Sequence, residues 1–433
     1  MSVFDKATIA ARRARAESAF AGSGVTVLIG AGSPIGKPGG LDQTYEFLPH
    51  PHYYWLTGER RSGSVLAWEP GAGWTHFVRA VTAEERLWEG DPEAPAGEDV
   101  AKLTEWLRRR KVAALGSPIK DVTGDETSST ALREALDAAR RPKDAAELAI
   151  LARAVTATAA GYAKASEVLR PGITERELKI EIEAAMFRAG AETTGYGTIV
   201  GSGPNAAVLH FEPGSRRVGA DDVVLIDAGG AIAGYTADVT RTYPASGRFT
   251  PEQQDIRDVV AAAHAEGIRR CRVGTEWHDV HRAAAEVIAA GLRDAGILRG
   301  NPANLADSGA VALFLPHGIG HMVGLGVRDV GGRAPGREEG RFCCGARVRV
   351  DMPLEAGFLM TIEPGIYFVP AILDSAEKRE KFRDAVDWSA LARWRQVGGV
   401  RIEDNVLVTA GEPLVITSSI PLRASPVIPT GGG

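Results

Sequence analysis

The sequence predicts an α+β fold in two parts, and two observations support this prediction. Within residues 1–140, apolar segments such as VTVLIG and SVLAW alternate with helical patterns, which is typical of an α/β layer. Within residues 141–433, long helical patterns come before strand-like segments interrupted by glycine, an order that favours a curved antiparallel sheet. The charged segment ARRPKDAAE separates the two parts, so we expect a domain boundary near residue 140.

The elements follow from local patterns. In the first part we expect an N-terminal Ala/Arg-rich helix, strands in VTVLIG, SVLAW and THFVRA, and a helix in DVAKLTEWLRRRK. The aromatic run Tyr53, Tyr54 and Trp55 is expected to pack in the core of this domain or to reach a partner subunit. In the second part, helices are predicted at about 144–169, 174–189, 251–271 and 276–295.

Composition excludes several classes of protein. The formal net charge of -5 gives no reason to expect a nucleic-acid partner or an anionic membrane surface. No apolar run approaches the roughly 18 to 20 residues that span a bilayer. Two of the three cysteines are adjacent, so no disulfide framework is expected. The N-terminus lacks the hydrophobic core of a signal peptide, and a cytoplasmic location is the expectation.

Five side chains that bind metal ions well occur in apolar, strand-like segments, where an unpaired charge would cost several kcal/mol. They are Asp227 in VVLIDAGG, Asp238 in YTADVTRT, His321 in HGIGHMVGLG, Glu363 in TIEPGIYF and Glu403 in GGVRIEDN. The glycine-rich connection AGGAIAGY can return the chain antiparallel and bring Asp238 beside Asp227. The four carboxylates carry a charge of -4, which two divalent ions would cancel. Oxygen-rich ligation with one imidazole favours Mn²⁺, Co²⁺ or Zn²⁺.

Such a site predicts hydrolysis. Two ions about 3.5–4 Å apart acidify a bridging water, polarise a carbonyl and stabilise the oxyanion. A glutamate that binds metal can also take the proton of the water and pass it to the leaving nitrogen. Glu363 is the candidate for this acid/base role.

The ordered segments VLIDAGG, ADVTRTYP, HGIGHMVGL, TIEPGIYF and GGVRIEDNV resemble the pita-bread metallopeptidase family (M24), which includes methionine aminopeptidase, aminopeptidase P and Xaa-Pro dipeptidase. The resemblance covers about residues 145–420. It implies a pita-bread catalytic domain in 141–433, preceded in 1–140 by a creatinase-type domain, as in the proline-specific branch. It also implies that Asp227 chelates one ion, that Asp238 and Glu403 bridge both, and that His321 and Glu363 bind the other.

The resemblance implies a substrate with an Xaa-Pro bond and two bound metal ions, with Mn²⁺ as the first choice. It also implies a homodimer. Glu403 follows Glu363 by forty residues, and this long charged segment looks like that of the dipeptidases. We therefore predict an Xaa-Pro dipeptidase (prolidase). The alternatives are an Xaa-Pro aminopeptidase (aminopeptidase P), with the segment only an extra surface helix, and a family member of low activity that binds peptides.

Three further residues acquire candidate roles from the resemblance. His210, in NAAVLHFEPG, matches the family histidine near the scissile carbonyl and is a candidate catalytic and substrate-binding residue. His317 either lines the proline pocket or simply packs. Arg401 lies two residues before Glu403 on the same strand face, and it binds either a substrate carboxylate or a metal-binding carboxylate.

One position departs from the family pattern. Where active relatives read valine-histidine-aspartate after the metal histidine, this chain reads Val327-Arg328-Asp329. An arginine can donate hydrogen bonds, but it is longer and permanently cationic. Arg328 is expected to contact the substrate, either at the oxyanion or at the terminal carboxylate, or else to turn towards Asp329. The change is expected to alter rate and substrate preference more than metal binding.

Overall fold

The computed structural model describes residues 3–90, 94–108, 110–334, 336–337 and 341–422. The chain forms two compact units, Met1–Arg140 and Arg141–Gly433. Among the described helices, none is both long and apolar enough to cross a membrane.

The first unit is built on a five-stranded mixed sheet. In spatial order its strands are Glu98–Asp99, Gly73–Val78, Val65–Glu69, Thr26–Gly30 and Val112–Gly116. The two outer pairs are parallel and the inner pairs antiparallel. The helices are Lys6–Phe20, Pro51–Thr57, Ala83–Glu89, Leu103–Trp106 and Glu126–Arg140, with a 3-10 turn at Val100–Lys102.

The aromatic run of the first unit lies on the short helix Pro51–Thr57, which begins with proline at its first position. Tyr53, Tyr54 and Trp55 are all buried, so they pack in the core of this unit, as expected. The helix predicted over residues 99–111 is much shorter, since regular α-helix is confined to Leu103–Trp106.

The second unit contains the long helices that the sequence predicts. They are Ala145–Val168, Glu175–Arg188, Pro251–Arg270 and Trp277–Asp294, and shorter helices are Pro302–Asp307, Pro370–Leu373, Ala376–Lys381 and Leu391–Trp394, with 3-10 turns at Gly203–Ala207, Ala310–Leu313 and Arg395–Val397. Capping boxes begin the first three long helices, formed in the first by Asp144 with Glu147. These side-chain caps explain why the helix starts agree with the sequence pattern.

The strands of the second unit form small, mainly antiparallel sheets. They are Thr193–Thr194, Ile199–Ser202, Val223–Ala228, Gly230–Ile232, Tyr235–Thr236, Val239–Pro244, Gly332–Arg333, Phe342–Cys343, Ala346–Arg347, Val350–Asp351, Leu359–Ile362, Gly365–Tyr367, Gly399–Arg401, Asp404–Leu407 and Leu414–Val415. Val223–Ala228 is the centre of one sheet, between Ile199–Ser202 and Val239–Pro244. Asp404–Leu407 is the centre of another, between Leu359–Ile362 and Leu414–Val415. The α+β prediction is therefore confirmed.

Candidate active site

Two strands of the second unit bring the first two candidate ligands together. Side chains alternate along Val223–Ala228, so Val224 and Ile226 face a core of helices while Asp227 points to the opposite face. Thr240 lies directly across from Asp227 in the antiparallel register, and Asp238 comes two residues earlier. An isolated bridge between Thr240 and Glu403 joins this sheet to the segment that follows Gly399–Arg401.

The acidic side chains and one imidazole converge at this junction. Ligand atoms of Asp238, His321 and Glu403 lie within 4.8 Å of one another. His321 Nε2 is 3.4 Å from Asp238 Oδ2 and 3.8 Å from Glu363 Oε1. Glu403 Oε2 accepts a hydrogen bond of 2.7 Å from the Thr240 hydroxyl. Asp238, His321, Glu363 and Glu403 are all buried.

The imidazole of His321 has the tautomer that a metal ligand needs. Its Nδ1 lies 2.9 Å from the carbonyl oxygen of Met322, which can only accept, so Nδ1 carries the proton. Nε2 is then left with a lone pair that faces the carboxylates. Burial lowers the pKa of His321 to about 4, which keeps the ring neutral at physiological pH.

The carboxylates are stabilised poorly by the protein alone. Burial, followed by the charge of Asp227, raises the pKa of Asp238 well above its usual range. Burial and the neighbouring acids, Asp238 first among them, raise the pKa of Glu403 well above its usual range. Burial raises the pKa of Glu363 to about 7, although Arg401 and Arg349 oppose the shift. A cation between these oxygens would remove the repulsion, so the residues fit a divalent metal.

Asp227 is held by protein donors on both oxygens. Tyr196 donates to Oδ1 at 2.7 Å, and Arg401 binds Oδ2 at 2.6 Å. Arg401 is buried, and it also donates to the hydroxyls of Thr240 at 3.0 Å and Tyr367 at 2.9 Å. The sequence left two partners open for Arg401, and in this structure its guanidinium contacts the carboxylate of Asp227.

His317 is tied to the same network. Its Nδ1 donates to the carbonyl of Gly318 at 2.9 Å, so Nε2 accepts from the Tyr367 hydroxyl at 2.9 Å. Nδ1 is also 3.8 Å from Glu363 Oε2. Burial lowers the pKa of His317 to about 3, so the ring is neutral. The side chain therefore orients neighbours as well as lining the site.

A series of hydrogen bonds connects the buried His281 to the backbone of Glu363 through Ile319. The Glu363 N–H donates to the carbonyl of Ile319 at 2.7 Å, which fixes the HGIGH segment against the strand. The Ile319 N–H in turn donates to Nδ1 of His281 at 3.3 Å, and His281 Nε2 donates to the carbonyl of Cys343 at 3.1 Å. Burial lowers the pKa of His281 to about 4, so this imidazole is neutral.

A cavity of about 490 Å³ opens over these groups. All nine residues that the sequence singled out for the site line it, namely His210, Asp227, Asp238, His317, His321, Arg328, Glu363, Arg401 and Glu403. His210 is exposed at its wall, and burial, followed by the charge of Arg328, lowers its pKa. Arg328 is also exposed. None of the described residues that line the cavity comes from segment 368–398, so the long connection before Glu403 does not contact it.

Sequence reasoning did not find three polar residues at the site. Tyr196 donates to Asp227. Tyr367 accepts from Arg401 and donates to His317. Arg349 lies 3.4 Å from Glu363 Oε1. Tyr367 lies in the segment TIEPGIYF, four residues after Glu363, so its position was a usable signal. Tyr196 and Arg349 carry no local pattern that separates them from ordinary surface residues.

Comparisons with known proteins agree with this geometry. The model of metallopeptidase family M24 matches residues 149–410. The probable Xaa-Pro aminopeptidase of Fusarium vanettenii is 31% identical over 397 residues, covering 85% of this chain and 84% of the relative. Proline aminopeptidase P II from Yersinia pestis superposes with a TM-score of 0.78 at 26% identity, covering 96% of this chain and 97% of the other. Zinc-substituted Escherichia coli aminopeptidase P, in complex with product, superposes with a TM-score of 0.78 at 25% identity and 96% coverage of each chain.

These matches extend through most of the chain, and the family match spans the segments that supply every candidate ligand. The fold is the pita-bread fold predicted from the motifs. The chain belongs to metallopeptidase family M24.

Proposed function

We propose that the protein is an Xaa-Pro aminopeptidase, which removes the first residue from peptides whose second residue is proline. The observation that carries this proposal is the cluster of Asp238, His321 and Glu403 at the floor of an open cavity, with Glu363 and Asp227 beside it. The relative from Fusarium vanettenii, which covers 85% of this chain, and the structure from Yersinia pestis, which covers 96%, bear the names probable Xaa-Pro aminopeptidase and proline aminopeptidase P II. They favour the aminopeptidase over the dipeptidase that we predicted first.

The basis for the dipeptidase prediction was the long segment between Glu363 and Glu403. Its buried side chains, including Leu373, Phe382 and Trp394, belong to the main core of the second unit. Because none of its described residues lines the cavity, this segment supports no preference for short peptides. An open cavity is compatible with a chain that continues beyond proline.

Asp227, Asp238, His321, Glu363 and Glu403 would hold two divalent ions, with Mn²⁺ the first choice and Co²⁺ or Zn²⁺ the alternatives. When bound, the ions supply an acidified water and a Lewis acid for the scissile carbonyl. Arg401 and Tyr196 fix the oxygens of Asp227 at 2.6 and 2.7 Å. Thr240 fixes Glu403. These donors orient ligands before any ion binds.

The proton transfers need a carboxyl group held beside the attacking water. Contacts of Glu363 with Arg349 at 3.4 Å and with His317 at 3.8 Å keep its carboxyl at the cavity wall. Glu363 would take the proton of the attacking water and return it to the proline nitrogen. His210 and Arg328, both exposed on the cavity wall, would contact the peptide near the scissile carbonyl.

Two further parts of the proposal concern the whole chain. We assign Met1–Arg140 as a creatinase-type domain and Arg141–Gly433 as the catalytic domain, which follows from the compact units and the near-complete coverage of aminopeptidase P structures. We also propose a homodimer, which sedimentation of the purified protein would test.

Three amidated peptides and one dipeptide test the activity. Ala-Pro-Ala-NH₂ and Ala-Pro-Ala-Ala-NH₂ should release alanine when Mn²⁺ is supplied, whereas Ala-Pro should be a poor substrate. Ala-Ala-Ala-NH₂ controls for a general aminopeptidase. Mass spectrometry identifies the products. Cleavage of Ala-Pro alone would instead establish a dipeptidase, and cleavage of none by the metal-loaded protein would leave a peptide-binding family member.

A matched pair of variants tests the acid/base assignment. Glu363→Gln keeps the side-chain size and should lower kcat by a factor of about 100 to 10,000, because general acid–base catalysis contributes that much. Glu355→Gln, an exposed position outside the cavity lining, is the control and should retain activity. Metal content measured on both variants separates loss of the acid/base group from loss of an ion.

A further inference from the structure

A second cavity lies next to the candidate active site. Its volume is about 620 Å³, and it shares two lining residues, His317 and Arg349, with the first cavity. Arg349 marks the border, because its Nη1 is 3.4 Å from Glu363 Oε1. A peptide chain that leaves the scissile bond on this side would therefore continue into the second cavity.

The lining of the second cavity is strongly cationic. The described part of this lining contains four arginines and one acidic side chain, namely Arg333, Arg341, Arg347, Arg349 and Asp351. The acid is already bound, since Asp351 accepts from Arg337 at 2.7 Å and from Arg341 at 3.2 Å. Arg337 does not line the cavity. Arg349 likewise contacts a carboxylate, that of Glu363, at 3.4 Å.

The arginines follow from an alternating pattern in RVRVD, residues 347–351. Val348 and Val350 are buried in the main core of the second unit. Arg347 and Arg349 are exposed and line the cavity. Strand Ala346–Arg347 ends before Arg349, and both arginine side chains line the same cavity.

Arg347 is the arginine most available to a ligand. It is exposed, and among the described residues its side chain has no hydrogen-bond or ion-pair partner. Its backbone is fixed by pairing with Phe342 across a short hairpin. A positioned guanidinium without a carboxylate is suited to binding one from outside.

We propose that this arginine-lined cavity binds a carboxylate on the leaving side of the substrate, one or two residues after proline. The proposal rests on the proposed function and names a substrate class within it: Xaa-Pro peptides with an acidic third or fourth residue. Because each residue of an extended peptide advances the chain by about 3.3–3.6 Å, these two positions lie within reach of a cavity that begins beside Glu363.

The test compares side chains of opposite and zero charge at one position. Ala-Pro-Xaa-Ala-NH₂ and Ala-Pro-Ala-Xaa-NH₂ are prepared with Glu, Gln or Lys as Xaa, and amidation removes the terminal carboxylate. In one of the two series, kcat/KM should fall in the order Glu, Gln, Lys, with Glu about threefold or more above Gln, as expected for a solvent-exposed ion pair. The preference should shrink as salt is raised.

Two variants test whether Arg347 causes the preference for the Glu peptide over the Gln peptide. Arg347→Gln should reduce the ratio of Glu to Gln peptide toward one while kcat/KM for the Gln peptide stays within twofold. Arg153→Gln makes the same charge change on the exposed face of helix Ala145–Val168, outside both cavities, and should leave the ratio intact. Equal rates for the three side chains, or a Glu preference that survives in R347Q, would overturn the proposal.

If the protein cleaves no Xaa-Pro peptide, the proposed function is wrong, but the carboxylate-binding cavity can still be tested by binding. Calorimetry then compares the affinity of the protein for Ala-Pro-Glu-Ala-NH₂ with its affinity for the Gln counterpart. Tighter binding of the Glu peptide by the wild-type protein, lost in R347Q, would support the cavity assignment without catalysis. Equal binding of both peptides would refute it.

Discussion

Arg401 is the side chain on which most polar contacts of the site converge. Its guanidinium binds Asp227, Thr240 and Tyr367 at once, and it is buried. Arg401→Lys keeps the charge but removes the fork that makes three contacts possible. We expect metal affinity to fall about 10- to 100-fold, as for other groups that orient metal ligands. Calorimetric titration with Mn²⁺ measures this.

Kinetics at saturating Mn²⁺ distinguish the two roles of Arg401. If it positions Asp227, KM for the peptide changes little once the ions are bound. A large rise in KM with unchanged metal affinity would show that Arg401 binds substrate instead. Arg153→Lys is the control variant: it makes the same substitution at an exposed position outside the cavity, so its metal affinity and KM should equal those of the wild type.

Arg328 lies in the segment Val327-Arg328-Asp329, where the resemblance to the family predicts a histidine. It is exposed at the cavity, and its charge contributes to lowering the pKa of His210, after burial. Arg328→Met removes that charge, so the imidazolium of His210 becomes less unfavourable and its pKa should rise. Nuclear magnetic resonance of labelled histidine, with and without the substitution, measures the shift.

The metal content of R328M should stay unchanged, because Arg328 is not among the clustered ligands. An unchanged pKa of His210 would mean that Arg328 turns away from it in solution. Arg328→His introduces the residue that the family resemblance predicts here, and its kcat/KM relative to the wild type reports what the arginine does to the reaction.

At the scale of elements, a buried ion pair anchors the segment that carries Arg328. Lys143 Nζ is 2.9 Å from Asp329 Oδ2, and the two side chains are 0% and 2% exposed. Asp329 also accepts from the backbone of Leu325 and Val330. Lys143→Met leaves the carboxylate without its cation, and we expect a loss of about 3 kcal/mol of unfolding free energy.

Urea denaturation followed by fluorescence measures the loss in K143M. Lys164→Met, at a half-buried position that pairs with exposed Glu167, is the control and should cost less than about 1 kcal/mol. A cost for K143M as small as that of the control would mean that Asp329 is satisfied by its other donors.

The elements differ in how far the sequence determines them. Helix Ala145–Val168 and strand Val223–Ala228 were predictable, because a local cap marks the start of the helix and a short apolar run marks the strand. The helix Pro51–Thr57 was not, since its seven residues are too few for a periodic signal and nearly all are buried. The five ligand segments were predictable from their motifs, whereas the contact of Tyr196 with Asp227 depends on pairing that sequence alone does not give.

At the scale of the molecule, a half-buried histidine of the first unit makes stability depend on pH. Burial, followed by Arg13, lowers the pKa of His76 to about 4, and its Nε2 lies 2.8 Å from the Tyr53 hydroxyl. Between about pH 6.5 and 4 the unfolded chain binds a proton here and the folded chain does not. The folded state should therefore lose stability as the pH falls through this window.

His76→Gln retains a polar partner for Tyr53 but does not titrate. The stability of the wild type relative to H76Q should fall by about 2 kcal/mol between pH 7 and pH 4. Hydrogen exchange of the amides in strand Gly73–Val78 reports on the unit that contains the histidine. A difference that is constant with pH would mean that His76 titrates alike in both states.

The contact between Arg401 and Asp227 joins positions 174 residues apart in the sequence. Contacts of such separation close large loops and tend to form late in folding. A chain that has folded only its helices therefore contains all five candidate metal-binding residues, but they are not yet close together in space. The active site is therefore complete only when the segments that carry Asp227 and Arg401 have come together. Binding of Mn²⁺ would consequently serve as a direct measure of the natively folded fraction.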